Sequence, residues 1–199
     1  MKKHTHDFTL IEIMTVLVII GVLAGILYPV LGHVQNKGKI TEAKTLVSGM
    51  KAAVLGYLSE YNFLPNPQGK TDDQTLGNWD TFDGPYNQLS SILAYTDCES
   101  PGNGKNGNVS NAAKNHNGNG TRFITPTKSI YDGGGIVDPW GFQLRVLMDY
   151  GGDGKVKSNN NYDSAGATVY LSPVVVFCRG LQDSNEGFEK VSVICSERR

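Results

Sequence analysis

The stretch FTLIEIMTVLVIIGVLAGILYPVL, residues 8–31, decides what kind of fold this 199-residue chain can have. It is apolar almost throughout, and from Ile13 to Asn36 there is no Asp, Glu, Lys or Arg. A helix over that interval is about 36 Å long, which exceeds the roughly 30 Å hydrocarbon core of a bilayer. The sequence therefore predicts a helix that can span a membrane with some tilt.

One acid, Glu12, stands near the start of this apolar stretch. An ionisable side chain at the edge of a membrane span is costly and indicates a function with a partner. Two simpler interpretations are a secretory signal peptide, with Met1-Lys2-Lys3 as its basic end, and a plain anchor whose Glu12 reaches back to the headgroups. Signal-peptide apolar regions are shorter, about 7–15 residues. The plain anchor stays open at this point.

Residues Phe8-Thr9-Leu10-Ile11-Glu12, between a short basic leader and a long apolar run, resemble the processing signal of type IV pilins and type II secretion pseudopilins. The resemblance implies that a prepilin peptidase removes the leader, residues 1–7, by cutting between Asp7 and Phe8, and that Phe8 is then N-methylated. It also implies that Glu12 acts in assembly by pairing with the new amine of a neighbouring subunit. Opposite charges attract strongly in the low-dielectric core of a fibre.

The same resemblance gives a role to two residues within the helix and raises an alternative at the cleavage site. Gly21 and Pro29 fall where pilin helices loosen on entering the fibre, and proline removes a helical hydrogen bond. The alternative is that they reflect only the usual composition of membrane helices. The family usually has Gly before the cut, where this chain has Asp7. An uncut chain would lack the amine that Glu12 needs. The alternative is therefore a membrane-tethered extracytoplasmic binding domain that does not polymerise.

A second apolar pattern continues the helix beyond the membrane stretch. Apolar residues recur at steps of three and four, which is typical of one face of a helix; they are Ile40, Ala43, Leu46, Val47, Met50, Val54, Tyr57, Leu58 and Tyr61. Pro65 and Pro67 end the pattern. We expect one helix from about Phe8 to Tyr61, with a transmembrane and polymerisation part over 8–35 and an amphipathic part over 36–62 that packs on a head.

The remaining residues, 63–199, predict a globular head. Residues 100–121, SPGNGKNGNVSNAAKNHNGNGT, are rich in Gly and Asn and predict a flexible surface loop. The last third predicts antiparallel strands over Phe142–Met148, Thr168–Phe177 and Phe188–Cys195, which are rich in Val, Ile, Phe and Tyr. The predicted class is α+β: a long amino-terminal helix packed on a carboxyl-terminal antiparallel sheet, as in pilins.

Asp138-Pro139-Trp140-Gly141, before the first of these strands, resembles the DPWG turn of the major pseudopilin of type II secretion. Pro presets a turn, Gly permits a positive φ, and Trp can cap the core. In that family the following loops bind calcium. Here Asp149, Asp153 and Asp163 could supply the oxygen ligands. The alternative is an Asp/Gly hairpin turn without metal.

The three cysteines are Cys98, Cys178 and Cys195. Cys178 and Cys195 lie near the carboxyl end, where many pilins have paired cysteines, so the resemblance implies a disulfide between them. Small buried thiols are the alternative. Cys98 has no assignment.

Charge and motifs limit the remaining functions. The net charge of −1 gives no indication of nucleic-acid binding. No HExxH, GxSxG, P-loop or CxxC occurs, so we expect a structural protein and not an enzyme. Lys2 and Lys3 favour a cytoplasmic amino end, with the chain in the inner membrane and the head in the periplasm.

The predicted function is a structural subunit of a type II secretion pseudopilus or related type IV filament. The resemblance implies a homo- or hetero-polymer of pilin-like subunits. It also implies three further partners: the prepilin peptidase, the inner-membrane platform protein and the motor ATPase.

Overall fold

The computed structural model describes residues 9–69, 74–76, 84–99, 108–125, 135–158, 168–178 and 194–195. The predicted leader with Asp7, the predicted methylation residue Phe8 and the predicted ligand Asp163 lie outside these residues. The chain divides into two compact units, Met1–Lys39 and Ile40–Arg199.

The predicted long helix is confirmed, since α1 runs from Leu10 to Tyr61 over 52 residues. It is continuous through Gly21 and Pro29, so their loosening within a fibre stays a prediction. Asn62 ends the helix with a positive φ of 61°, and its N–H donates to the carbonyl of Leu58 at 2.8 Å. Within the residues that the structure describes, no helix is both long enough and apolar enough to cross a membrane.

The second half of α1 supplies one wall of the core of the unit Ile40–Arg199. Ala43, Val47, Met50, Val54 and Tyr57 are each at most 1% exposed. They recur at alternating steps of four and three, so one face of the helix is buried. This confirms the apolar stripe predicted from the sequence.

A second helix, α2, packs in the same core. It spans Gly84–Ala94, and its buried side chains include Tyr86, Leu89 and Ile92. The hydroxyl of Tyr86 donates to the carbonyl of Ile136 at 2.5 Å, which holds α2 against the segment that leads into the sheet.

Among the residues that the structure describes, one sheet has four strands in the order β1-β2-β5-β6, and all neighbours are antiparallel. The strands are β1 (Gln74–Leu76), β2 (Arg145–Met148), β5 (Val174–Cys178) and β6 (Ile194–Cys195). A separate antiparallel ribbon pairs β3 (Val156–Ser158) with β4 (Thr168–Tyr170). The described elements are thus helical and antiparallel, in agreement with the predicted α+β class.

Alternation along the strands divides the sheet residues between two clusters. Val146, Met148, Val174 and Val176 join the large core with α1 and α2. Their neighbours Leu147 and Val175 form a smaller cluster with Val156 and Tyr170 of the β3–β4 ribbon. Both faces of the central strands are therefore covered, one by helices and the other by the ribbon.

The predicted strand over Thr168–Phe177 is wrong as a single element. The chain forms β4 up to Tyr170 and resumes as β5 at Val174, and the two strands belong to different sheets. Pro173 lies directly before β5 and has no N–H to donate to a ladder. The proline is therefore the sequence signal for the interruption.

The predicted flexible loop over residues 100–121 is wrong for its second part. Residues 108–121 contain a short helix and pack against α2. A short helix, α3, spans Asn111–His116. Ser110 caps it by accepting a hydrogen bond from the N–H of Ala113 at 3.1 Å. Residues 100–107 lie outside the described part of the chain.

Asn117 explains why this polar segment packs on the core. It is fully buried. Its amide nitrogen donates to the carbonyl of Ile92 at 2.8 Å, and its amide oxygen accepts from the hydroxyl of Tyr61 at 2.8 Å. One asparagine thus joins α3, α2 and the end of α1, a long-range role that local composition does not reveal.

Candidate functional site

The amino end of α1 carries the predicted assembly residue, Glu12, in a closed pair with Thr9. The Glu12 carboxylate accepts from the N–H of Thr9 at 2.8 Å and from its hydroxyl at 2.7 Å. The Thr9 hydroxyl oxygen lies 3.4 Å from the N–H of Glu12, which donates to it. This is a capping box, in which two residues satisfy the unpaired donors of a helix end.

This local role of Thr9 and Glu12 was not predicted from the sequence. The signal was present, because Thr9-Leu10-Ile11-Glu12 has the T-x-x-E spacing of a capping box before an apolar run. In the isolated chain the Glu12 carboxylate therefore has hydrogen-bond donors, and both residues are exposed. A partner in another chain would add to these donors or replace them.

The following residues of α1 present apolar side chains to solvent. Twelve large apolar residues between residues 10 and 26 have exposed fractions from 50% to 78%: Leu10, Ile11, Ile13, Met14, Val16, Leu17, Val18, Ile19, Ile20, Val22, Leu23 and Ile26. The polar side chain of Thr15 donates to the carbonyl of Ile11 within the helix. An apolar surface of this extent indicates a contact with lipid or with other proteins.

The DPWG turn has Asp138 at its centre. The carboxylate accepts from the backbone N–H groups of Trp140 and Phe142, each at 2.9 Å. The N–H of Gly141 donates to the carbonyl of Asp138 at 2.9 Å. Gly141 has the positive φ predicted for it, 91°, and Trp140 packs against the core. The roles predicted for Gly and Trp are confirmed, and the organising role of the Asp side chain was missed.

Asp138 also joins the turn to the sheet. It is only 3% exposed, and the thiol of Cys178 in β5 donates to its second carboxylate oxygen at 3.1 Å. Burial raises the pKa of Asp138 above its ordinary value, while the hydrogen bonds from Phe142, Cys178 and Trp140 oppose that rise. The turn therefore contains a buried acid whose proton affinity is increased.

The predicted disulfide between Cys178 and Cys195 is wrong. The strand register pairs Cys178 with Ile194 and Cys195 with Phe177. Cys195 is therefore not the register partner of Cys178. Cys178 is a buried thiol. The alternative of a small buried thiol therefore holds for Cys178. Cys98 is also a free, buried thiol, and its burial raises the pKa of the thiol to about 12.

The predicted calcium ligands Asp149 and Asp153 lie in the turn between β2 and β3, and both accept hydrogen bonds from backbone amides. The two carboxylate oxygens of Asp149 accept from Gly152 at 2.6 Å and Gly154 at 2.7 Å. Asp153 accepts from Lys155 at 2.9 Å. Hydrogen bonds from an Asp side chain to backbone N–H groups a few residues further on are typical of Asx turns.

Among the described residues, no three His, Cys, Asp or Glu side chains are grouped closely enough to hold a metal ion. The third predicted ligand, Asp163, lies outside them. Calcium therefore stays a prediction that depends on Asp163.

Comparison with known proteins finds relatives over part of the chain. It is 35% identical over 86 residues to the fimbrial protein EcpC of Eikenella corrodens, a match that covers 43% of this chain and 53% of that protein. It is 38% identical over 71 residues to the type IV major pilin protein PilE1 of Neisseria gonorrhoeae, covering 35% of this chain and 33% of that protein. The type IV major pilin protein PilE of the same organism matches at 36% over 65 residues.

The chain thus spans about half the length of the Eikenella protein and about a third of PilE1. No protein-family model matches it, and no solved structure matches it significantly. Over these stretches the chain is similar to type IV pilins at modest identity.

Proposed function

We propose that this chain is a structural subunit of a type IV filament, without enzymatic activity, and that it polymerises through its amino-terminal helix. The observation that carries the proposal is the first half of α1, where exposed apolar residues follow a single acid, Glu12. The similarity to fimbrial and pilin proteins supports it independently. Packing of such helices would bury the exposed apolar residues, which favours association.

The mechanism rests on a change of partner at Glu12. A prepilin peptidase removes residues 1–7 and the new amine of Phe8 is methylated. The Glu12 carboxylate of one subunit then pairs with that amine in the next subunit. Either charge alone would be costly in the interior of a fibre, and the pair offsets that cost. The paired charges therefore set the register in which helices pack.

The kind of filament is the finer part of the proposal. The DPWG turn favours a type II secretion pseudopilus, whereas the named relatives favour a pilus. In either case the proposed partners are other pilin-like subunits, the prepilin peptidase, the platform protein and the motor ATPase. The proposed location is the inner membrane, with a cytoplasmic amino end next to Lys2 and Lys3 and a periplasmic head.

Substitutions at Glu12 and Thr9 separate charge pairing from helix capping. Glu12→Gln keeps an oxygen that accepts the hydrogen bonds of Thr9, because Gln also serves in capping boxes, but it removes the charge. We expect this variant to insert normally and to lower the yield of sheared filaments about tenfold or more. Thr9→Ala is the matched control, since it weakens the cap by about 1 kcal/mol and keeps the charge. It should still assemble. Normal filaments from Glu12→Gln would refute charge pairing.

Intact-mass measurement of the mature protein tests processing. The expected chain begins at methylated Phe8. Recovery of a chain that still carries residues 1–7 would contradict the proposal. It would favour the second candidate, a membrane-tethered binding domain that does not polymerise, for which Asp7 before the cleavage site is the specific observation.

A further inference from the structure

A cleft of about 500 Å³ opens between the end of α1 and the turn after β2. All of its described lining residues belong to the unit Ile40–Arg199. Its volume lies within the range of about 300–1,000 Å³ that is typical of small-molecule sites. Leu58, Leu64 and Pro173 form apolar walls, and polar groups come from both sides. The proposed filament function makes no use of this cleft.

Phe63 gives the cleft an exposed aromatic ring in a fixed position. The side chain is 53% exposed, although it is large and apolar. The Phe63 ring meets Tyr57 edge to face, with centroids 5.8 Å apart and an angle of 78°. It also lies 6.0 Å from the ring of Tyr61. Because the buried Tyr57 and the partly buried Tyr61 contact it, the ring is a preorganised surface on which a flat apolar face can stack.

Polar groups flank this ring at two points. Asn62, which closes α1 at a φ of 61°, is exposed and is one of the residues that line the cleft. Asp149 lines the opposite side and is 6% exposed. Each of its carboxylate oxygens accepts one backbone N–H. A carboxylate has about four acceptor positions, and these two hydrogen bonds occupy two of them.

Charge and size restrict the kind of ligand. Among the described residues that line the cleft there is no Lys, Arg or His, and the last turn of α1 has no basic residue. The carboxylate of Asp149 and the negative end of the helix dipole therefore disfavour an anion. A single ammonium group would leave most of the volume unfilled. A neutral molecule with many hydroxyl donors and one apolar face fits both the acceptors and the ring.

We propose that the cleft is a binding site for a neutral saccharide, one or two sugar units in size. The C–H face of one sugar ring stacks on Phe63, and its hydroxyl groups donate to Asn62 and Asp149. Leu58 and Leu64 enclose the apolar edge. This gives the head a ligand-binding function in addition to the proposed assembly function, and it does not depend on polymerisation.

Maltose and N,N′-diacetylchitobiose are suitable probes for the full-length protein, held in a zwitterionic detergent without a sugar headgroup. Saturation-transfer NMR followed by titration should detect at least one of them with a Kd on the order of 1 mM. Phe63→Ala removes the ring. Asn62→Gly removes the amide and keeps the positive φ that glycine adopts without strain. Each variant should weaken binding about tenfold or more.

Leu171→Ala is the matched control, because Leu171 is 82% exposed and does not line the cleft. It should bind as the wild type does, and thermal melting checks that all three variants are folded. Failure of the wild type to bind either disaccharide would overturn the proposal, as would equal binding by all variants. If Phe63→Ala abolished filaments while the wild type bound no sugar, the cleft would be a subunit contact, which also overturns it. Loss of filaments in Glu12→Gln tests only the assembly function.

Discussion

Asp138 shows how one buried side chain fixes a turn and joins it to a sheet. Its carboxylate takes two backbone amides of its own turn and the thiol of Cys178. The tetrapeptide DPWG indicated a turn from the preferences of Pro and Gly. It did not indicate the carboxylate as the central acceptor, because that role depends on a strand 40 residues away along the chain.

The raised pKa of Asp138 gives a pH dependence with a defined sign. Below the ordinary Asp pKa both the folded and the unfolded chain hold the proton, so Asp138 does not make the free energy of unfolding depend on pH there. Between the ordinary value and the raised folded value, the unfolded chain loses the proton first. The contribution of Asp138 to stability therefore falls as pH rises through this window and stays low above it.

Denaturant unfolding of the wild type and Asp138→Asn, followed from pH 3.5 to about 7, measures this contribution. The difference in unfolding free energy should change in favour of the Asn variant as pH rises above the ordinary Asp pKa. Taking the difference in unfolding free energy between the wild type and the variant cancels the titration of the acids that both chains share. Asp138→Ala is the control for hydrogen bonding. It should lose about 2 kcal/mol or more at every pH, because the partly buried amides of Trp140 and Phe142 lose their acceptor. A pH-independent difference for Asp138→Asn would contradict the raised pKa.

At the scale of elements, the hydrophobic pattern predicted a helix or strand best where the pattern repeats over many residues. The stripe from Ile40 to Tyr61 repeats over many turns, so the helix and its buried face were both predicted. The strand β1 is three residues long and was missed, because Gln74–Leu76 carries too few residues for an alternating pattern. The helix α3 was missed because Ser110 caps it inside a segment whose Gly and Asn content predicts a loop.

The turn between β2 and β3 tests the calcium prediction. If Asp163 completes a site with Asp149 and Asp153, calcium should raise the melting midpoint of the wild type by several degrees and leave that of Asp163→Asn unchanged. Asp149→Asn should melt lower with or without calcium, because the charged acceptor for the amides of Gly152 and Gly154 is lost. If the wild type melts at the same temperature in calcium and in chelator, the calcium prediction is wrong and the segment is a metal-free hairpin turn.

At the scale of the whole molecule, the described buried residues all belong to the unit Ile40–Arg199, and the first of them in α1 is Ala43. The core therefore does not draw on residues before that position within the described chain. The sequence predicts a change at about residue 36, where an all-apolar stretch gives way to a one-sided stripe. It could not predict the split of the strands between two sheets, which depends on how distant segments pack.

A truncated chain of residues 36–199 tests the division. We expect it to remain in solution without detergent and to melt cooperatively, within a few degrees of the full-length protein in detergent, because no core residue has been removed. Circular dichroism at 222 nm measures both the helix content and the midpoint. The full-length chain under the same detergent-free conditions is the control and should associate. A truncated chain without a cooperative transition would show that residues 1–35 are needed for folding.

The Thr9–Glu12 pair has a consequence for the energetics of joining subunits. The acid already has donors within its own chain, so in the proposed assembly docking on a neighbour would exchange one set of donors for another. The free energy released at this joint is then a difference between two bound states and not the full value of an ion pair. If that difference is small, the joint between subunits is reversible. The strength of the filament would then be the sum of many weak contacts between helices. A subunit could leave the growing end as well as join it.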